Sequence, residues 1–114
     1  RLWDVAGIYY LGVGKVPHAV ECYLAECRAL QVGGWESDPG TFDELAVAVA
    51  HTAKAYLMVP TKKNLYACKM FLSTIRKRAE KDLKDTASYK TIAGLLANTE
   101  EKYAAVASEG TSGS

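Results

Sequence analysis

The chain has 114 residues, enough for one domain with its own core and too few for two. Fourteen Lys and Arg against thirteen Asp and Glu leave a formal charge of +1, which excludes the strongly basic balance of a non-specific nucleic-acid binder. The apolar share is 49% and the charged share 24%, the ratio of a folded globular domain, and nine Gly with three Pro exclude collagen-like or low-complexity chain.

The sequence opens at Arg1 with neither Met nor an apolar leader and reads as a segment of a longer protein. No run of about 18 apolar residues is present, so no transmembrane helix is expected. Periodicity is helical throughout, and no segment alternates with period two. A first helix is expected over 2–11, ended by Gly12 and Gly14, because glycine relieves the backbone at a helix C-terminus. Pro17 sits where a first-turn proline is tolerated, and a second helix runs to about Gln31. Its apolar stripe is Val16, Ala19, Val20, Tyr23, Leu24, Cys27 and Leu30.

Residues 32–40 read as a loop. Within it, Trp35 is expected to fold back over the core, the alternative being an exposed anchor. Thr41-Phe42-Asp43-Glu44 has the capping-box pattern and predicts a third, alanine-rich helix from Thr41 to about Met58. Val59-Pro60 stops it, since the residue before proline avoids helical geometry. Thr61 caps a fourth helix to about Lys84, with Leu65, Cys68, Phe71, Leu72, Ile75 and Ala79 inward. A fifth, over about 87–107, carries Tyr89, Ile92, Ala93, Leu96, Tyr103 and Val106. Residues 108–114 lack apolar side chains and read as a disordered tail or linker. The expected fold is all-α: five helices in antiparallel hairpins over 1–107.

The first hairpin resembles a tetratricopeptide repeat. Trp3-x2-Ala6-Gly7-x2-Tyr10, a Gly14 turn and Ala19-x3-Tyr23 match that family's Trp-x2-Leu-Gly-x2-Tyr and Ala-x3-Phe, except at the leucine and the Phe-to-Tyr change. Gly7 and Ala19 fall where two helices approach closely. Weaker copies follow as Val49-x2-Thr52-Ala53-x2-Tyr56 with Ala67-x3-Phe71, and as Tyr89-x2-Ile92-Ala93-x2-Leu96. Trp3 to Val49 is 46 residues and Val49 to Tyr89 is 40, so the repeats are irregular.

The resemblance implies an α-solenoid fragment whose first helices line a groove for a partner peptide or helix. On this register the groove holds Asp4, Ile8, Leu11, Ala50, Lys54, Leu57, Lys90 and Gly94. Asp4 and Ile8 stand where chaperone-tail binders of the family place carboxylate-holding residues. An acid and an aliphatic cannot hold a carboxylate, so no C-terminal carboxylate clamp is expected. A mostly apolar groove with two lysines suits an amphipathic segment carrying an acid. The implied role is an intracellular, non-catalytic interaction scaffold with no cofactor, no metal and no membrane partner.

Other chemistry is weakly marked. His18 and His51 lie on different helices without Cys, Asp or His at ligand spacing. Gly12-Val13-Gly14-Lys15 follows a helix and lacks the Ser or Thr after lysine, so it reads as a turn and not a phosphate loop. Cys22 and Cys27 diverge about 140° around a helix, and the three cysteines read as small buried side chains of a reducing compartment. From Arg76 to Asp85, five bases face three acids, and pairing along the helix reads as a solvated face. The alternative function is a helical accessory domain of a larger enzyme, packed intramolecularly or touching nucleic acid through Arg76-Lys77-Arg78. A three-helix bundle of the microtubule-interacting-and-trafficking type is the third reading, and five helices would dismiss it.

Overall fold

Helical spacing of apolar residues is realised five times. The computed structural model describes the backbone of residues 2–113 and the side chains of 5–108, and the described residues contain no strand. The helices are α1 (Leu2–Gly12), α2 (Val16–Leu30), α3 (Pro39–Met58), α4 (Lys62–Leu83) and α5 (Ala87–Gly113), with a short 3-10 turn at Trp35–Ser37. Five helices dismiss the three-helix alternative. The expected tail falls largely on residues 109–114, outside the described side chains.

The helix ends follow local chemistry. Gly14 adopts φ +78°, and the Gly14 and Lys15 amides donate to the Leu11 and Tyr10 carbonyls, which closes α1 and reverses the chain into α2. Thr61 caps α4 by accepting from the Asn64 amide at 3.1 Å, and Asn64 Nδ2 returns a bond to the Val59 carbonyl at 2.8 Å. Thr86 accepts from the Tyr89 amide at the start of α5.

The start of α3 corrects the capping-box expectation. Asp38, not Thr41, is the N-cap, and helix begins at Pro39. Its carboxylate accepts from the Gly40 amide at 3.1 Å, the Thr41 amide at 3.4 Å and the Thr41 hydroxyl at 3.0 Å. A carboxylate complements the positive end of the helix dipole, and Pro39 loses nothing there because a first-turn amide has no intrahelical partner. The Thr41 hydroxyl bond, followed by the amides, holds the Asp38 carboxyl below its ordinary pKa.

The helices pack in chain order: α1 on α2, α2 on α3, α3 on both α4 and α5, and α4 on α5. The molecule measures 45 × 32 × 19 Å, about two helices thick. The larger core joins α3, α4 and α5 through Leu45, Val49, Leu72, Ile75, Leu83, Ile92 and Leu96. A smaller one joins α2 to Ala55 of α3 through Val16, Ala19, Val20 and Tyr23, with Tyr10 and Leu11 of α1 against it.

The close approach of α1 and α2 is where the sequence placed it. A Cβ on Gly7 would stand 2.7 Å from two ring carbons of Tyr23, whose ring is buried and lies 5.5 Å from the His51 ring. Tyr23 therefore has little room to yield. Trp35 folds back, as expected, to 1% exposure. Its ring stacks on Phe42 at 5.9 Å, and the Arg78 guanidinium covers it at 5.0 Å.

Two stability predictions follow from these contacts. Overpacking costs about 1–3 kcal/mol, more than the ~1 kcal/mol that alanine adds to helix propensity, so Gly7→Ala should lower the denaturant midpoint. An unchanged or higher midpoint would show that the two helices are not in this contact. Trp35→Ala should cost about 3–5 kcal/mol, as large aromatic deletions from a core do. Thermal unfolding measures it, and a loss near zero would place Trp35 outside the core.

Candidate functional site

Alanine at positions 46 and 50 leaves a shallow trough along α3, and the first turns of α5 form its other wall. The cleft between them has a volume of about 220 Å³ and is lined by Asp43, Ala46, Val47, Ala50, Ala87, Ser88 and Thr91. Ser88 donates to Asp43 at 2.6 Å and ties the two helices at one end. Val47 is 57% exposed, a branched apolar side chain at the rim.

Of the groove residues expected from sequence, Ala50 lines this cleft, and Lys90 lies on α5 between Ser88 and Thr91 with its side chain exposed. Lys54 is exposed one turn beyond Ala50, and Leu57 is half-buried on the same helix. Ile8 is 59% exposed and Leu11 half-buried on α1, whose main packing partner is α2, and neither lines the cleft. Gly94 is exposed, and the Asp4 side chain lies outside the described residues. Sequence reasoning missed Asp43, Val47, Ser88 and Thr91. Val47 was discoverable, since it stands one turn before Ala50 on the same helix face. The Asp43–Ser88 pairing, 45 residues apart, was not.

The basic stretch on α4 is used within the chain. Arg78 donates to Glu36 at 2.7 Å and to Gln31 at 3.1 Å while lying over Trp35. Its hydrogen bond holds the Glu36 carboxyl below the usual range. Arg76 donates to Glu80 at 3.3 Å and to the Tyr89 hydroxyl at 3.2 Å. Lys77 is exposed.

Nucleophile chemistry finds little support. All three cysteines are free and buried. Cys27 Sγ lies 3.5 Å from Thr52 Oγ1, and desolvation pushes its thiol from 9.0 up to about 11. Burial also raises Cys68, which lies 3.7 Å from Thr99 Oγ1. His18 packs against Tyr10 with ring centroids 5.2 Å apart. Among the described residues, no group of three or more His, Cys, Asp or Glu converges as a metal site, and no helix is long and apolar enough to cross a membrane.

Over 95 residues, 83% of its length, the chain is 27% identical to the tetratricopeptide repeat protein 27 homolog of Dictyostelium discoideum. It spans 11% of the length of that curated relative. No family model and no solved structure matches the chain.

The raised Cys27 pKa carries a pH prediction. A thiol that titrates higher in the folded state than in the unfolded state favours folding below the unfolded value. That contribution is lost as pH rises from 9.0 toward about 11. Stability measured across this range should fall less steeply in Cys27→Ala than in the parent. Equal slopes would mean that the thiol is not buried as described.

Proposed function

We propose that the chain is a tetratricopeptide-repeat-like domain that binds an amphipathic segment of a partner protein. The groove is lined by α1, α3 and α5, with Asp4, Ile8, Leu11, Ala50, Lys54, Leu57 and Lys90 as contact residues. It acts as a non-catalytic scaffold module inside the cell. The observation that carries this reading is the alanine-floored cleft between α3 and α5, with exposed Val47 at its rim and Lys54 and Lys90 beside it.

The chemistry fits an amphipathic ligand. A floor of small side chains accepts a branched or aromatic residue, and the two ammonium groups attract an acid on the ligand's polar side. Support also comes from the relative named for tetratricopeptide repeats, from helices packed in chain order and from the Gly7–Tyr23 approach. Three buried free cysteines suit a reducing compartment. The nucleic-acid form of the accessory-domain alternative needs a free basic face, and two of its three bases are engaged by Glu36, Gln31, Glu80 and Tyr89.

Titration with a panel of amphipathic peptides carrying one acidic residue tests the groove. Val47→Lys and Lys54→Glu should each weaken the best binder by about tenfold, roughly 1.4 kcal/mol, with helicity unchanged. Leu57→Glu is a third probe, read only where circular dichroism shows the native fold. If folded Val47→Lys and Lys54→Glu both bind normally, the groove is misplaced. Steeply salt-dependent nucleic-acid binding, lost in Lys77→Ala, would instead favour the accessory-domain reading.

A further inference from the structure

The formal charge of +1 hides an uneven distribution. From Leu45 to Ala79 there are seven Lys and Arg and no Asp or Glu, and from Val5 to Val20 the only such residue is Lys15. These two acid-free stretches meet where the turn between α1 and α2 lies beside the end of α3 and the start of α4. A pocket of about 300 Å³ opens there. Val16, Pro17 and Val20 of α2 wall it, with Tyr56 and Val59 at the end of α3 and Asn64 of α4.

The walls are tied in place. Asn64 Nδ2 donates to the Val59 carbonyl at 2.8 Å, and the Lys15 amide donates to the Tyr10 carbonyl at 2.8 Å. A pocket held this way loses little freedom when it is filled. Val16 and Val20 are buried, while Val13, Met58 and Val59, beside or among the lining residues in sequence, are exposed. Lys15, Lys62 and Lys63 flank the lining residues and are exposed, and among the described residues none of the three forms an ion pair. Glu21, the nearest acid along α2, lines a different cleft with His18 and Arg28.

We propose that this pocket binds an acidic segment of a partner protein through one aliphatic or aromatic side chain, with Lys15, Lys62 and Lys63 meeting acids on either side of that anchor. About 300 Å³ is the low end of the range for ligand pockets and suits a single anchoring side chain. The apolar walls select the anchor, and the uncompensated lysines select its acidic neighbours. A peptide is favoured over an anionic membrane because the valine walls recede behind the rim, whereas insertion needs apolar side chains that project. Single-stranded nucleic acid needs open rings to stack on, and Tyr56 is half-buried. The site is separate from the α3–α5 cleft. Tyr56 stands nine residues after Val47, about 180° around α3, so the proposal does not rest on groove binding.

Fluorescence anisotropy with short labelled peptides, glutamates around a central Leu, Phe or Ala, tests the pocket. The Leu or Phe peptide should bind about tenfold or more tightly than the Ala peptide. Val59→Glu should weaken that binding by about tenfold, and so should Lys62→Glu combined with Lys63→Glu. Acids in the first turn favour a helix, so the lysine variant remains a probe if circular dichroism shows that Val59→Glu does not fold. Chemical-shift changes on titration should centre on Val16, Val20, Tyr56 and Asn64. Equal binding of the Ala peptide overturns the proposal, as does normal binding by the folded variants or binding by none of the peptides. Loss of binding in Val47→Lys but not in these variants would place the peptide in the α3–α5 cleft and overturn it as well. Phosphatidylserine vesicles or oligouridine bound more tightly than the peptides, through the same lysines, would give the surface to lipid or RNA and overturn it too.

Discussion

Everything in this molecule leans on α3. It is the one helix that packs against α2, α4 and α5 together, and it does so with few large side chains. Ala46, Ala48, Ala53 and Ala55 are all at or below 6% exposure, so three neighbouring helices approach a thin central rod. Alanine costs no side-chain entropy in a helix and gives up its small volume to the neighbour's larger residues. Leu72 of α4 and Ile92 of α5 pack into the same core beside Leu45 and Val49 of α3. A bulky residue on any of those faces would push one neighbour away. The same economy at Ala50, on the remaining face, leaves the cleft against α5 unfilled.

Helix number and inward faces were legible in the sequence because they depend on local periodicity, whereas α5 runs to Gly113, past the end expected near Ala107. The stripe predicted for α2 is buried or half-buried throughout, and so is that of α4. Even one tertiary contact was legible: Gly7, flagged as a small residue at a crossing, sits against the Tyr23 ring, and Ala19, flagged with it, is fully buried. The missed features needed knowledge of what folds onto what. The cap of α3 went to Asp38 because two capping signals overlap within four residues, and the carboxylate adjoining Pro39 won over the Thr41 hydroxyl. The Asp43–Ser88 tie and the Arg78 bonds to Gln31 and Glu36 join residues 42 to 47 apart in sequence, and no local pattern announces them.

The loop around Trp35 shows why charge runs are poor evidence of function. Read along the chain, Arg76-Lys77-Arg78 is a basic patch. In three dimensions, Arg78 lies over the Trp35 ring and holds Glu36, while Ser37 donates to Asp82 one turn further along α4. Among the described residues the indole nitrogen has no hydrogen-bond partner, which is a cost of its burial, and the guanidinium over the ring face partly offsets it. The Glu36–Arg78 pair is half-exposed and worth little by itself. Its value is positional, since it closes the loop over the tryptophan.

The faces of α1 and α3 can be assigned from what packs on each. On α3, one face meets α4 and α5, one meets α2, and Val47 and Ala50 line the cleft whose other wall is the start of α5. On α1, one face meets α2, and the remaining surface divides at Ile8. On one side of Ile8 lie Val5 and Tyr9, whose α3 counterparts are covered. Ile8 itself matches Lys54, which is exposed in turn. Exposed apolar side chains on α1 thus fall on more than one side of the helix. A single hydrophobic patch drawn over the whole helix would confuse them. The separation follows from side-chain direction alone, because residues one turn apart share a face while neighbours in sequence do not. It also explains why composition could not reveal it: the side chains concerned are the same aliphatic and aromatic types, and only their angular position around the helix tells them apart.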